Sequence, residues 1–219
     1  MRGSEPSYDI VKASAWDFLE PTEKLLAAGA AADAVVFGSL AQREAASRDT
    51  IRALARAAKR TVFDVNLRPP FIFPEVVQAS AAGVWLLKLN EEEAHTLCEW
   101  AKLSASDGAG AMARALGEHF SCQGVVVTCG GDGAALWLRD GGVVTHAGCK
   151  VTAVDAVGAG DAFLASLLDG LLKGEDAALV LARANAVGAF VATQHGATPP
   201  LDAAVIQALM AASPPAKRA

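Results

Sequence analysis

The sequence predicts an α/β fold with a doubly wound, mostly parallel sheet flanked by helices. Short apolar segments alternate with longer, alanine-rich helical segments along most of the 219 residues. The segment 124–128 is apolar on both faces, which is typical of a strand in a parallel sheet. A glycine-rich turn at 158–161 leads into an apolar helix, as turns at the ligand-binding edge of such sheets do.

The individual elements follow in chain order. Strands are predicted at 34–38, 61–65, 84–89 and 124–128, and helices between them at 43–59, 90–100 and 107–120. Asp140, Gly141 and Gly142 separate two further strands, 134–138 and 143–146, and predict a hairpin. Three helical stretches follow, the first at 162–172. Residues 1–212 are expected to form one domain, and 213–219 a disordered tail.

Composition excludes several classes of protein. The length suits one domain with a substantial core. The net charge is −5 with acidic and basic residues mixed, so no nucleic acid partner is expected. No apolar run is long enough for a membrane span, and charges among the first twenty residues do not fit a signal peptide. Four cysteines without C-x-x-C spacing indicate a reduced, cytoplasmic protein with free thiols.

The most informative motif is the turn Gly158, Ala159, Gly160 and Asp161. Backbone N–H groups at the start of the following helix lack partners, and the helix dipole adds positive potential, which predicts an anion site. The two glycines allow a ligand to approach closely. A carboxylate beside a phosphate site suggests proton handling and phosphoryl transfer. The alternative is ordinary loop chemistry with a dipole-favoured Asp in the first helical turn.

This motif is neither of two common phosphate loops. No Gly-Lys-Ser/Thr follows, as a Walker loop requires, and Phe163 stands where a dinucleotide fingerprint has its third glycine. The longer string from Asp155 to Asp161, D-A-V-G-A-G-D, resembles the second signature of the PfkB/ribokinase family of carbohydrate kinases, D-T-x-G-A-G-D. Ala156 replaces the usual Thr, so one hydroxyl near the phosphates is missing. The resemblance implies that Asp161 is the general base, that Gly158 belongs to the catalytic turn, and that the backbone N–H groups of Ala159, Gly160 and Asp161 hold charge on the transferred phosphate.

Two polar motifs follow predicted strands. Asn90 and Glu93 fit a capping box, which needs no further function. The family resemblance instead implies an N-x-x-E motif that orders water around magnesium. Asp64, Asn66 and Arg68 fit a polar loop, but they also resemble the D-x-N-x-R of fructokinase-like and ketogluconate-kinase-like members. That resemblance implies substrate binding by all three, with the arginine near the sugar or the transferred phosphate.

The nucleotide-binding residues are assigned by resemblance as well. Thr128, Gly130 and Gly133 lie in a glycine turn that is similar to the family's T-x-G-x-x-G, which contacts the phosphates and ribose. Asn185 and Gly196 resemble the adenine-side segments, although a helical Asn also fits an exposed or satisfied core position.

A monovalent cation is a further expectation from the family. Many members bind one, such as potassium, between the segment around Asp155 and the loop 195–199. Pro200 stands where some relatives have a hydroxyl, so cation binding stays open.

The resemblance covers nearly the whole chain, but family members begin earlier. Their central first strand, acidic sugar-binding residue and Gly-Gly…Asn segment have no counterpart before Met1. The N-terminal strands and most of the lid are therefore expected to be missing, with residues 1–20 as a partial lid. The loss of a central strand would expose an edge of the sheet.

The implied function is an ATP-dependent, fructokinase-like carbohydrate kinase with ATP and magnesium, a small sugar as its partner, and homodimer formation through lid strands. The alternative is a catalytically impaired nucleotide-binding remnant, or pseudokinase, because the sugar-binding segment is lacking. A NAD-dependent oxidoreductase is disfavoured because the dinucleotide fingerprint is incomplete. The sequence does not identify the sugar.

Overall fold

The computed structural model describes residues 10–104 and 107–218. Their strands form one seven-stranded sheet whose spatial order is the order along the chain. Strands β1 to β4 pair in parallel, and the pairs from β4 to β7 are antiparallel, so five of the seven strands run in one direction. The strands are β1 Val35–Gly38, β2 Thr61–Asp64, β3 Leu86–Asn90, β4 Gly124–Thr128, β5 Ala134–Leu138, β6 Gly142–His146 and β7 Lys217–Arg218.

Helices cover both faces of this sheet. They are α1 Glu23–Ala31, α2 Ala45–Ala57, α3 Pro74–Ala81, α4 Glu91–Trp100, α5 Ala109–His119, α6 Ala159–Leu172, α7 Ala177–Ala192 and α8 Ala203–Ala212. Short 3-10 turns lie at Ala15–Asp17, Leu40–Gln42 and Gly130–Asp132.

The side chains of the central strands alternate between two hydrophobic cores. Leu87 and Leu89 of β3 pack with α3, α4 and α5 on one face, whereas Leu86 packs with α6 and α7 on the other. Helix α8 packs on α7 through Ile206. The carboxyl ends of β2, β3 and β4 and the amino end of α6 therefore lie at one edge of the molecule, where open α/β sheets bind their ligands.

The predicted fold class is confirmed, and the strands at 34–38, 61–65, 84–89 and 124–128 and the 134–146 hairpin are all present within one or two residues. Helices α1 and α3 were not predicted from the sequence. Both are short, and α3 has only eight residues, too few for a clear helical periodicity.

Part of the predicted tail, residues 213–219, pairs with the sheet. Lys217 and Arg218 form β7 along the otherwise open edge of β6, and the Arg218 side chain pairs with Asp176. The exposed backbone groups of β6 provide the hydrogen bonds that order this part of the tail.

The expected partial lid, residues 1–20, is described only from Ile10 onward, because residues 1–9 lie outside the described residues. Downstream of them, Asp17 accepts two hydrogen bonds from the buried Arg43, at 2.7 and 2.6 Å. This ion pair, together with the bond from Arg43 to the Val11 carbonyl, ties the segment to the rest of the domain. At the opposite edge from β7, Val36 of β1 is 50% exposed.

None of the described helices has the length and apolarity that a membrane span requires.

Candidate active site

The amino end of α6, called the cradle below, carries the predicted anion site. Gly158 precedes the helix with φ +80°, a conformation that favours glycine, and an added Cβ there would lie 2.2 Å from the Ala197 carbonyl oxygen. Ala159 already donates its N–H to the Ala156 carbonyl at 3.2 Å. Among the described residues, the N–H groups of Gly160 and Asp161 have no protein acceptor. Two donors at the positive end of a 14-residue helix therefore remain for an anion, rather than the three predicted.

Charged side chains gather beside this cradle. Asp64 at the end of β2 and Lys88 of β3 are partners in the parallel register, on the sheet face that carries α6. Lys88 Nζ donates to Asp64 Oδ1 at 2.8 Å, and both side chains are about nine-tenths buried. An ideal Cβ on Gly160 would lie 3.6 Å from the same Nζ atom, so the ammonium group lies directly against the first turn of α6.

The pKa of Asp64 reflects this environment. Burial raises the pKa of this carboxyl above its ordinary value, and the charge of Lys88 opposes that rise. The nearby carboxylate of Asp161 raises the pKa of Asp64 further, whereas Arg68 lowers it. These mutual effects place two carboxylates and two cations in one electrostatic cluster. Asp161 itself is exposed in the first turn of α6.

The predicted capping box at the start of α4 is present. Asn90 Oδ1 accepts from the Glu93 N–H at 2.8 Å, and Glu93 Oε2 accepts from the Asn90 N–H at 2.9 Å. The other carboxylate oxygen of Glu93, Oε1, accepts from the Leu67 N–H at 2.7 Å. Glu93 is 5% exposed, and it thus joins α4 to the loop that carries Asn66 and Arg68.

Within that loop, Asn66 has a left-handed backbone with φ +47°, which asparagine tolerates better than most residues. Its carbonyl accepts from the Ser39 hydroxyl at 3.2 Å, which ties the loop to the end of β1. Arg68 Nη1 donates to the Leu67 carbonyl at 2.9 Å.

A cavity of about 520 Å³ adjoins the cradle. It brings together Gly160 and four of the five predicted nucleotide-binding residues, namely Thr128, Gly130, Gly133 and Asn185. Asn185 is 6% exposed and donates to the Leu181 carbonyl at 2.8 Å. The volume lies within the range of small-molecule sites.

Gly196 is not part of the wall of this cavity. Its N–H donates to Asp155 Oδ2 at 3.2 Å, and the Val157 N–H donates to Asp155 Oδ1 at 3.0 Å. These two hydrogen bonds, the one from Val157 first, hold the pKa of Asp155 below its ordinary value. Gly196 therefore fastens its loop to the turn before α6.

A larger groove of about 870 Å³ lies between α5, the β5–β6 hairpin and the C-terminal segment. It shares Asp132 with the first cavity but contains none of the residues of the cradle. The smaller cavity is the better candidate site because it adjoins the anion cradle and the charged cluster.

Lys88 was not predicted as a site residue from the sequence. A lysine inside an otherwise apolar strand was the available signal, because a buried strand accepts a charge only when a partner is at hand. The partner, Asp64, lies on another strand, so its identity depends on the register of the sheet.

Taken together, the fold and the site define a doubly wound α/β domain in which a helix end with two unpaired N–H groups lies beside a cavity of about 520 Å³. Comparison with known proteins then identifies the family. Residues 10–204 match the pfkB family carbohydrate kinase, and the chain belongs to this family.

Individual relatives agree with this assignment. The chain is 34% identical over 156 residues to aminoimidazole riboside kinase of Salmonella typhimurium, which covers 67% of this chain and 46% of the relative. It is 34% identical over 204 residues to fructokinase of Klebsiella pneumoniae, covering 86% of this chain and 63% of the relative. The chain thus spans about half to two thirds of the length of these curated relatives.

Among solved structures, fructokinase from Vibrio cholerae in its fructose, ADP and calcium ion bound form superimposes with a TM-score of 0.67. The sequence identity is 27%, with 81% of this chain and 60% of that chain covered.

Proposed function

We propose that this protein is an ATP-dependent carbohydrate kinase that transfers the γ-phosphate of ATP to a sugar hydroxyl, with a fructokinase-like substrate. The observation that carries the proposal is the amino end of α6, where two unpaired N–H groups and the exposed Asp161 carboxylate occur within one helical turn. Family membership and the fructose- and ADP-bound structural relative support the same reaction.

In the proposed reaction, Asp161 accepts the proton of the attacking sugar hydroxyl. The hydroxyl oxygen forms a bond to the γ-phosphorus as the bond from that phosphorus to the bridging oxygen of ADP breaks, and ADP leaves. The N–H groups of Gly160 and Asp161 stabilise negative charge on the transferred group. The guanidinium of Arg68 binds the sugar or the transferred phosphate, and Glu93 holds the loop that carries Arg68 through its hydrogen bond from the Leu67 N–H.

Magnesium fits an indirect role at Glu93. No cluster of three or more His, Cys, Asp or Glu side chains suited to direct metal binding occurs in residues 10–104 and 107–218. Each carboxylate oxygen of Glu93 accepts one backbone N–H and keeps a further lone pair for a metal-bound water. The exposed Asn90 amide lies beside it. When bound, magnesium would neutralise charge on the β- and γ-phosphates.

Potassium at Asp155 stays a prediction. Both carboxylate oxygens of Asp155 already accept backbone N–H groups that join the turn before α6 to the Gly196 loop. As in Glu93, each oxygen keeps a further lone pair, so a cation contact is compatible with these bonds.

The test replaces Asp161 by Asn and uses Asp169→Asn as a matched control. Asp169 is an exposed aspartate of the same helix, and its side chain pairs with Lys173 rather than with the site. ATP affinity is measured by calorimetry, and ADP release is followed with fructose, aminoimidazole riboside and other small sugars. Asp161→Asn should lower kcat by about 10²–10⁴-fold while ATP affinity is retained, because general base catalysis is lost. Asp169→Asn should behave like the parent.

A parent-like rate for Asp161→Asn would contradict the general base. ATP binding by the parent without turnover of any sugar would instead support the nucleotide-binding protein without catalysis. That outcome is the second candidate because the chain spans only part of the length of its curated relatives.

A further inference from the structure

Lys88 occupies an unusual place for a lysine. It lies in the middle of the parallel sheet, between Asp64 of β2 and Val126 of β4, and only 7% of its surface is exposed. The residues on the same face one step earlier in β2 and β3, Val62 and Leu86, belong to the hydrophobic core under α6 and α7. A charged group here is costly unless ions or strong hydrogen bonds compensate it.

The protein compensates only part of this cost. An ammonium group carries three N–H donors. Among the described residues, Lys88 Nζ donates one hydrogen bond, to Asp64 Oδ1 at 2.8 Å. Two donors of a buried cation are therefore left for another acceptor.

The position of the ammonium group indicates what that acceptor is. Lys88 Nζ would lie 3.6 Å from a Cβ on Gly160, and glycine has none, so nothing separates it from the first turn of α6 at this point. Gly160 also carries one of the two unpaired N–H groups of the cradle and forms part of the cavity wall. A lysine charge and a helix end thus converge on the same small volume, which suits a phosphate.

The charged groups around Lys88 are consistent with a phosphate at this position. Asp64 and Asp161 contribute two negative charges, and Lys88 and Arg68 contribute two positive charges. Without Lys88, the arginine would be the one cation of this cluster beside the two carboxyl groups, a less favourable environment for a phosphate.

We propose that Lys88 is a catalytic residue that binds the γ-phosphoryl group of ATP through the N–H donors that Asp64 leaves unused. This inference rests on the proposed kinase function and extends it to a residue on β3. The competing explanation is a buried ion pair that only stabilises the sheet.

The two explanations predict different effects of Lys88→Met on the affinities for ADP and for AMP-PNP, the imido analogue of ATP. A γ-phosphate contact predicts that Lys88→Met weakens AMP-PNP binding by about 10- to 100-fold, the range for a hydrogen bond between charged groups, while ADP binding changes by less than about threefold. Asp64→Asn breaks the same ion pair but keeps the cation. It should therefore retain the preference for AMP-PNP over ADP that the parent has.

The experiment titrates the parent, Lys88→Met, Asp64→Asn and the double variant with each nucleotide by calorimetry at fixed magnesium, and follows thermal unfolding in parallel. The double variant removes both charges, so it keeps the test available if Lys88→Met alone fails to fold. Loss of AMP-PNP affinity in both variants that lack Lys88, but not in Asp64→Asn, supports the proposal.

Two results would overturn it in different ways. Parent protein that binds neither nucleotide contradicts the proposed kinase function itself. Parent protein that binds both, with AMP-PNP affinity unchanged in Lys88→Met or equally weakened in Asp64→Asn, leaves nucleotide binding intact and assigns Lys88 a structural role.

Discussion

The variant Gly158→Ala tests the close contact between Gly158, at the start of α6, and the loop that contains Ala197. Two costs are expected. A left-handed backbone costs a residue with a Cβ about 1–2 kcal/mol, and φ at this position is +80°. The new Cβ would also lie 2.2 Å from the Ala197 carbonyl oxygen and 2.8 Å from the Ala197 Cα, and such overpacking costs about 1–3 kcal/mol.

The two costs together lower the free energy of unfolding by about 2–5 kcal/mol, a large part of the 5–15 kcal/mol that holds a typical domain together. Gly174→Ala is the matched control. Gly174 has φ +71°, but an added Cβ there meets no heavy atom within 4 Å. The control should therefore lose only the conformational part, about 1–2 kcal/mol.

Urea unfolding followed by circular dichroism measures both variants against the parent. Gly158→Ala should also weaken AMP-PNP binding, because the helix end and the loop must move apart, whereas Gly174→Ala should leave it unchanged. Equal losses of stability in the two variants would refute the close approach of the Ala197 loop to the helix end.

Two further predictions concern Glu93 and His146. Glu93→Ala leaves the Leu67 and Asn90 N–H groups without their acceptor and should lower the free energy of unfolding in urea by about 1–3 kcal/mol. The control Glu92→Ala, at an exposed neighbour, should cost much less, and equal costs would contradict the role of Glu93 in joining α4 to the Leu67 loop. Burial lowers the pKa of His146 below its ordinary value near 6.5, so the unfolded chain takes up the proton first and stability falls as the pH drops below about 6.5. His146→Gln should lose less stability than the parent between pH 7 and pH 5, and equal losses in urea midpoints would contradict this assignment.

Features that depend on neighbouring residues in the chain could be predicted from the sequence. The apolar strand β4, the hairpin turn before β6 and the Asn90–Glu93 capping box are examples, because hydrophobic period, turn chemistry and helix caps act over a few residues. The start of α6 was predicted three residues late, since the small residues 159–161 carry little helical pattern.

Features that depend on contacts between distant segments could not be predicted in the same way. The β7 pairing, the tie from Glu93 to Leu67 and the Arg43–Asp17 ion pair each join residues that are far apart in the chain. A motif can suggest that such residues lie at one edge of the sheet, but not which atom bonds to which.

The Gly-Ala-Gly-Asp turn by itself predicted a helix end suited to a phosphate, since backbone donors and glycine freedom are local properties. Only the tertiary structure decided what surrounds that helix end. The parallel register brings Asp64 beside Lys88 and places the ammonium group against Gly160. The packing of the Ala197 loop on Gly158 fixes the turn itself. Charges and close contacts of this kind arise from the juxtaposition of strands and loops in space, which a linear pattern does not specify.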